Sequence, residues 1–396
     1  MIAVAARDWN GDSLPDNAES AESDLKLLGL FGIVDPVRPE AAEAIAQCRS
    51  AGIRAVMITG DHPDTARAIA DEIALRASDD EVLTGADMEK ISDEELVERV
   101  PQISVYARVS PEHKLRIVNA WQSRNSIASM TGDGVNDAPA LRQADVGVAM
   151  GIAGSDVAKE AGEMILADDN FATIVAAVEE GRIVYDNIRK FVNYLLTTNA
   201  AEVLVLFACI AIGLPLPLLP AHILWINLVT DGLPALALGF EPAESDIMRR
   251  RPRKRDESLF AGGLGWAIGL LGALMALACI LLFWRYLPVS GSSDYAAQLS
   301  YAQTMVFLTL SLLQFFHVLA IRSSAPFYRV GLWSNYRLTV AVLLGTALQF
   351  AVIFVPPLRP FFHTVPLSMG DVAIAVAIST LPFVVIEIWK QFERRE

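Results

Sequence analysis

The sequence predicts a doubly wound α/β domain followed by an all-α domain of six membrane-spanning helices. Two observations carry this. Up to about residue 190, short strand-like apolar runs alternate with stretches of helical periodicity, the pattern of parallel βαβ units. Beyond Phe191 six long apolar stretches follow in series, each close to the ~20 residues needed to cross a bilayer. Composition agrees: 53% of the 396 residues are hydrophobic and only 20% charged, and the apolar excess is confined to the second half.

Taken in order, residues 10–23 are rich in Asn, Asp, Ser, Glu and Pro and read as a solvated loop. Residues 27–34 form a strand-like run. Residues 39–51 repeat apolar side chains at helical spacing, with Pro39 suited to a first turn and Gly52 ending the helix. Strands are then expected at 53–58, 104–107, 126–130 and 146–149, and helices at 62–75, 111–123 and 138–144.

The six spans are expected at about 191–214, 221–240, 264–287, 301–321, 336–355 and 371–389. One such run could be a buried helix of a soluble core, but six in series could not. Basic residues lie in the 249–255 loop, at Arg322, Arg329 and Arg337, and at Lys390, Arg394 and Arg395. With the α/β domain in the cytoplasm, six spans put all three groups inside, which satisfies the positive-inside rule. A net charge of −14 argues against a nucleic-acid partner, because phosphate binding needs a basic surface. Cys48, Cys209 and Cys279 are too widely spaced for a zinc site or a disulfide framework. The opening residues 1–6 are too short for an export signal and precede Arg7 and Asp8.

Two predicted strands end in the same chemistry. One runs into Thr59-Gly60-Asp61, the other into Thr131-Gly132-Asp133-Gly134-Val135-Asn136-Asp137. Ligands of open α/β sheets sit beyond the carboxyl ends of strands. A hydroxyl with a glycine amide can hold phosphate oxygens. The carboxylates Asp133 and Asp137 suit Mg2+. Lys114, just inside a helix, can neutralise a transferring phosphoryl group. Asp61 or Asp64 can cap the helix that follows the first turn. His62 and His113 fit no catalytic role and read as surface residues.

The runs Asp35-Pro36-Val37-Arg38-Pro39-Glu40 and Met57-Ile58-Thr59-Gly60-Asp61, with the stretch from Met130 to Gly151, resemble the phosphorylation domain of P-type ATPases. That resemblance implies a haloacid-dehalogenase-like (Rossmann-like) fold. It implies that Thr59 and Gly60 contact an aspartyl phosphate, that Lys114 neutralises it, that Asp133 binds Mg2+, and that Asn136 and Asp137 order the site. ATP would be the substrate of the complete pump.

Polar residues inside spans are costly and usually functional. The first span carries Asn199 and Glu202 on one face, and the second carries Asn227, Thr230 and Asp231 on one face. Pro234 can break the second helix and free carbonyls. Two carboxylates among neutral oxygens suit a hard cation such as Ca2+. The alternative is that Asn and Thr only bind helices together. The run from Leu224 to Ala235 resembles the sixth membrane helix of calcium-type P-type pumps, and the run from Thr198 to Glu202 their fifth. Asn227 stands where sodium–potassium pumps place an acid. In the fourth span of this chain Gln314 matches the ligand position, as in one-ion plasma-membrane types.

By this resemblance residues 1–23 are a remnant of a nucleotide-binding domain and linker, 24–182 a phosphorylation domain lacking its nucleophile strand, and 183–396 the transmembrane domain. No Asp-Lys-Thr-Gly-Thr, Thr-Gly-Glu or Pro-Glu-Gly-Leu-Pro motif occurs in the 396 residues. The chain alone is therefore expected to be inactive, and an apolar slot is expected where the nucleophile strand would lie. Four readings stay open: a fragment of a pump, half of a split pump with a separate N-terminal partner, a stand-alone phosphatase, and a non-catalytic membrane protein that binds cations or a partner. The phosphatase needs an Asp-x-Asp nucleophile motif of its own, which the sequence lacks. The expected setting is the lipid bilayer, as a multi-pass protein of the plasma membrane.

Overall fold

The computed structural model describes residues 2–9, 17–32, 36–77, 79–288 and 293–393. Met1, Val34, Asp35, Arg394 and Arg395, with residues 10–16 of the 10–23 loop, lie outside them. The chain divides into two compact units: Met1–Ala46 with Ala55–Lys114, and Gln47–Arg54 with Leu115–Glu396.

In the first unit, β1 (Ile2–Ala6) and β2 (Lys26–Phe31) form an antiparallel ribbon. The expected strand at 27–34 is thus shifted towards its start. Three further strands, β3 (Met57–Thr59), β4 (Glu81–Thr84) and β5 (Ile103–Ala107), make a parallel sheet in the order β3-β5-β4. β5 is central and wholly buried. The expected strand at 53–58 shortens to Met57–Thr59, because only those residues pair with β5. β4 escapes sequence reading, since four residues bounded by Glu81 and Thr84 have too little apolar pattern to signal a strand. The helix expected at 62–75 runs Pro63–Glu72, and the helix Pro111–Ser123 has its expected bounds.

The soluble part of the second unit repeats the plan. β6 (Ser129–Gly132), β7 (Val146–Met150) and β8 (Met164–Leu166) form a parallel sheet in that order. The helices Ala138–Gln143 and Asp156–Ala161 supply the crossovers. β3 and β6 are each the outer strand of their own sheet, so each has one edge unpaired within it.

The first span belongs to one 41-residue helix, Phe171–Ala211, not to the expected 191–214 segment. At 1.5 Å per residue it is about 60 Å long, twice the hydrocarbon thickness. Hydropathy marks only its membrane part, and the polar turns before Phe191 continue the same helix. The remaining spans are Pro220–Leu238, Leu264–Tyr286, Tyr295–Ile321, Trp333–Phe354 and Met369–Phe392. Tyr295–Ile321 is the central helix, with every residue from Ala302 to Phe315 buried. The first and third spans approach closely at Gly272, where a Cβ would sit 3.0 Å from that of Ala200. The sixth span is two helices, Met369–Ser379 and Leu381–Glu393. Pro382 cannot donate to Ile378, and the ladder breaks at Thr380.

Candidate phosphate-side turns and membrane cation site

In the first unit, parallel pairing sets Thr59 beside Ala107. The chain leaves β3 into Gly60 and Asp61, and leaves β5 towards the helix that carries Lys114 in its first turn. Thr59-Gly60-Asp61 and the start of that helix therefore share the carboxyl edge of one sheet. The Thr59 hydroxyl donates to Asp61 Oδ2 (3.0 Å) and accepts from the Asp61 amide (3.1 Å). Gly60 is exposed, with nothing within 4 Å of where a Cβ would point. The helix cap is His62, whose Nδ1 accepts from the Asp64 amide (3.3 Å), in place of Asp61 or Asp64. His62 is exposed as expected, but His113 is buried, and its Nδ1 accepts from the Ser110 amide (3.2 Å).

In the second unit, the turn after β6 is built around Asp137. Its Oδ2 accepts from the amides of Asp133 and Gly134, both at 3.3 Å, and its side chain is buried. Gly132 makes room for it: a Cβ there would lie 2.5 Å from Asp137 Cβ. The Asp133 carbonyl accepts from the Ser155 amide at 2.8 Å, which fastens the turn to the 151–155 loop. Asp133 and Asn136 are exposed. One acid of the pair thus orders the backbone, while the other is presented to solvent.

The membrane cluster is assembled from three helices. Glu202, on the first span, accepts from Asn227 Nδ2 (3.1 Å) and from Gln314 Nε2 (3.0 Å). Thr230 Oγ1 donates to Gln314 Oε1 (3.2 Å). Asp231 accepts from Thr198 Oγ1 (2.9 Å) and Tyr194 OH (3.1 Å). Glu202, Thr230, Asp231 and Gln314 are all buried. The second span is distorted here: Ile226–Thr230 is a π-helical turn, closed by the Asp231 amide on the Ile226 carbonyl (2.8 Å). The distortion lies ahead of Pro234, not at it. Pro234 has no N–H for the Thr230 carbonyl four residues back, and the one Tyr194 hydroxyl proton is shared between that carbonyl (3.2 Å) and Asp231 Oδ1.

The predicted residues Glu202, Asn227, Thr230, Asp231 and Gln314 are thus brought together. Asn199 stands apart: its amide donates to the Leu195 carbonyl of its own helix (2.7 Å). Sequence reading missed Tyr194 and Thr198. With Glu202 they fall at i, i+4 and i+8 on one helix face, a spacing that would have found them. Among the described residues no group of three or more His, Cys, Asp and Glu side chains converges. The cluster therefore offers two carboxylates and neutral oxygens, a set that fits a hard cation and not a soft metal.

The chain thus joins an α/β region, with Thr-Gly-Asp turns at the carboxyl ends of strands, to a helix bundle that holds buried acids. Residues 2–145 match the family described as haloacid dehalogenase-like hydrolase, and residues 215–392 the family described as cation transporting ATPase, C-terminus. A calcium-transporting ATPase of Bacillus subtilis is 49% identical over 381 residues, covering 96% of this chain and 42% of that protein. Calcium-transporting ATPase 1 of Bacillus cereus is 42% identical over 98% of this chain and 45% of its own length. An endoplasmic reticulum calcium ATPase of Aspergillus fumigatus is 38% identical over 100% of this chain and 44% of its own. The chain belongs to the P-type cation-transporting ATPases, calcium-pump-like in its relatives, and corresponds to their C-terminal portion. It spans roughly two fifths of the length of these relatives. It is a multi-pass membrane protein with its α/β region on the cytoplasmic side.

Proposed function

We propose that this chain supplies the Mg2+ and phosphate-neutralising elements, and part of the membrane cation site, of an ATP-driven pump for Ca2+ or a similar cation. The observation that carries the reading is the buried cluster. Glu202 and Asp231 have hydrogen-bond partners that are all neutral: Asn227, Gln314, Thr198 and Tyr194. Two carboxylates buried with no cationic partner are costly unless a cation or protons neutralise them. Removing water from a divalent ion is offset by these two charges and the surrounding oxygens.

On the cytoplasmic side, Thr59 and Gly60 would hold oxygens of the phosphorylated aspartate, with Lys114 neutralising its charge. Asp133 would be the Mg2+ carboxylate, with Asn136 and Asp137 ordering the turn. Mg2+ bound there would offset charge on the phosphoryl group as it transfers. The residues fit the ion, since Asp133 is exposed while Asp137 is committed to backbone amides. Asp61 would order Thr59 through its hydrogen bonds. The domain limits 24–182 and 183–396, and a plasma-membrane location, go with this reading.

The phosphorylated aspartate would come from pump residues outside this sequence, in the same polypeptide or a separate one. The test is phosphorylation by labelled ATP with Mg2+. The purified 396-residue chain should give no hydroxylamine-sensitive band. A complete pump that contains this chain should give one that depends on Ca2+. A band from the pure chain, or a complete pump indifferent to Ca2+ and similar cations, would overturn the reading.

A further inference from the structure

We propose that the 249–255 loop, between the second and third spans, is a binding site for anionic phospholipid head groups. Six of its seven residues are cationic: Arg249, Arg250, Arg251, Arg253, Lys254 and Arg255. The positive-inside rule accounts for basic residues on this side of the membrane but not for how they are disposed.

The loop is fastened along the long first-span helix by hydrogen bonds. Arg182 donates to the carbonyls of Ile247 (2.8 Å), Arg250 (3.0 Å) and Ala51 (2.9 Å). One turn on, Asp186 accepts from Arg250 (2.6 Å). A further turn on, Arg189 donates to the Ala261 carbonyl. The loop therefore descends the helix over seven residues, about 10 Å of rise. Where it ends, Leu259, Phe260 and Trp266 are exposed, Trp266 at 87%. Apolar and aromatic side chains exposed at the start of a span belong at the membrane–water interface.

The six cations are not equivalent. Arg250 is held by Asp186 and Asp246, and Arg255 by Asp145 (2.7 Å). The Arg253 guanidinium lies 3.2 Å from the centre of the Tyr185 ring. Arg249, Arg251 and Lys254 are exposed and, among the described residues, pair with no carboxylate. Three unpaired cations on a fixed backbone, about a Debye length above interfacial aromatics, match a surface of lipid phosphates. The chain as a whole carries a charge of −14, so this attraction is local to the loop.

The experiment reconstitutes the full chain in mixed bilayers and measures, by electron spin resonance, the association of spin-labelled phosphatidylglycerol relative to phosphatidylcholine. One cation at an anionic head group contributes up to about fivefold, and the measured ratio averages over every lipid around the helices. The wild-type chain should prefer phosphatidylglycerol several-fold, and molar salt should remove most of the preference. R249Q/R251Q/K254Q should bring the ratio close to one, and R251Q alone part of the way. R329Q, on the other cytoplasmic loop, should leave it unchanged. Protease accessibility checks that each variant keeps its orientation. An unchanged ratio in the triple variant and in R251Q overturns the proposal, as does an equal loss in R329Q, which would indicate a diffuse basic surface.

Discussion

The turn after β6 and the cluster between the spans each hold two acids among neutral groups, but they are built in opposite ways. Asp133 and Asp137 are four residues apart, and their roles are separated by backbone bonds within one loop. Glu202, Asp231 and Gln314 come from three helices and meet only when the bundle packs. In the turn one carboxylate is exposed and the other buried; in the cluster both are buried. The first arrangement holds its shape with one carboxylate, the one proposed for Mg2+, in water. The second keeps two acids away from water, where, among the described residues, each is hydrogen-bonded only by two neutral side chains. A water-exposed site can bind and release Mg2+ without rearrangement. A buried one must trade its amide donors for a cation.

The largest effect should come from separating the two Thr-Gly-Asp turns. In a complete pump containing this chain, Asp133→Asn should lower phosphoenzyme formation at ordinary Mg2+ by a hundredfold or more, about 3 kcal/mol, with partial rescue at most when Mg2+ is raised. Asp61→Asn should leave the Mg2+ midpoint in place, because Asp61 is bonded to Thr59 and acts on the turn. Phosphoenzyme titrated against Mg2+ for both variants decides between them; equal shifts would erase the distinction between the turns.

A smaller shift is expected in the cluster. Glu202→Gln or Asp231→Asn removes one of two charges while keeping shape. Each should raise the cation concentration for half-maximal phosphorylation about tenfold or more, near 1.4 kcal/mol. Unchanged cation dependence in both would return these residues to helix packing.

A further effect, outside the phosphorylation readout, is on stability. Gly132→Ala places a methyl 2.5 Å from Asp137 Cβ, so the turn must move. A cost of about 1–3 kcal/mol is expected, read as a lower midpoint of thermal unfolding. Gly60→Ala, which meets nothing within 4 Å, should cost less. If the two substitutions cost the same, the turn after β6 is no more tightly built than the one after β3.

Hydropathy and local motifs settled much by themselves. Six spans, the polar residues within them and the Thr-Gly-Asp turns are all contiguous patterns, and contiguous patterns survive without a tertiary structure. The helix Pro111–Ser123 was legible to its ends because Pro111 opens it and Asn125, at a φ of 61°, turns the chain soon after. What only the tertiary structure decided depends on partners distant in sequence. β4 and β8 are strands because β5 and β7 pair with them, not because their few residues demand it. Asn199 and Thr198 are adjacent polar residues on one helix, yet only Thr198 meets Asp231, 33 residues on. Tyr194 joins the site because Pro234, 40 residues away, leaves a carbonyl without its helical donor. Local sequence sets which groups a helix offers; which of them face a buried acid is settled by how the helices pack.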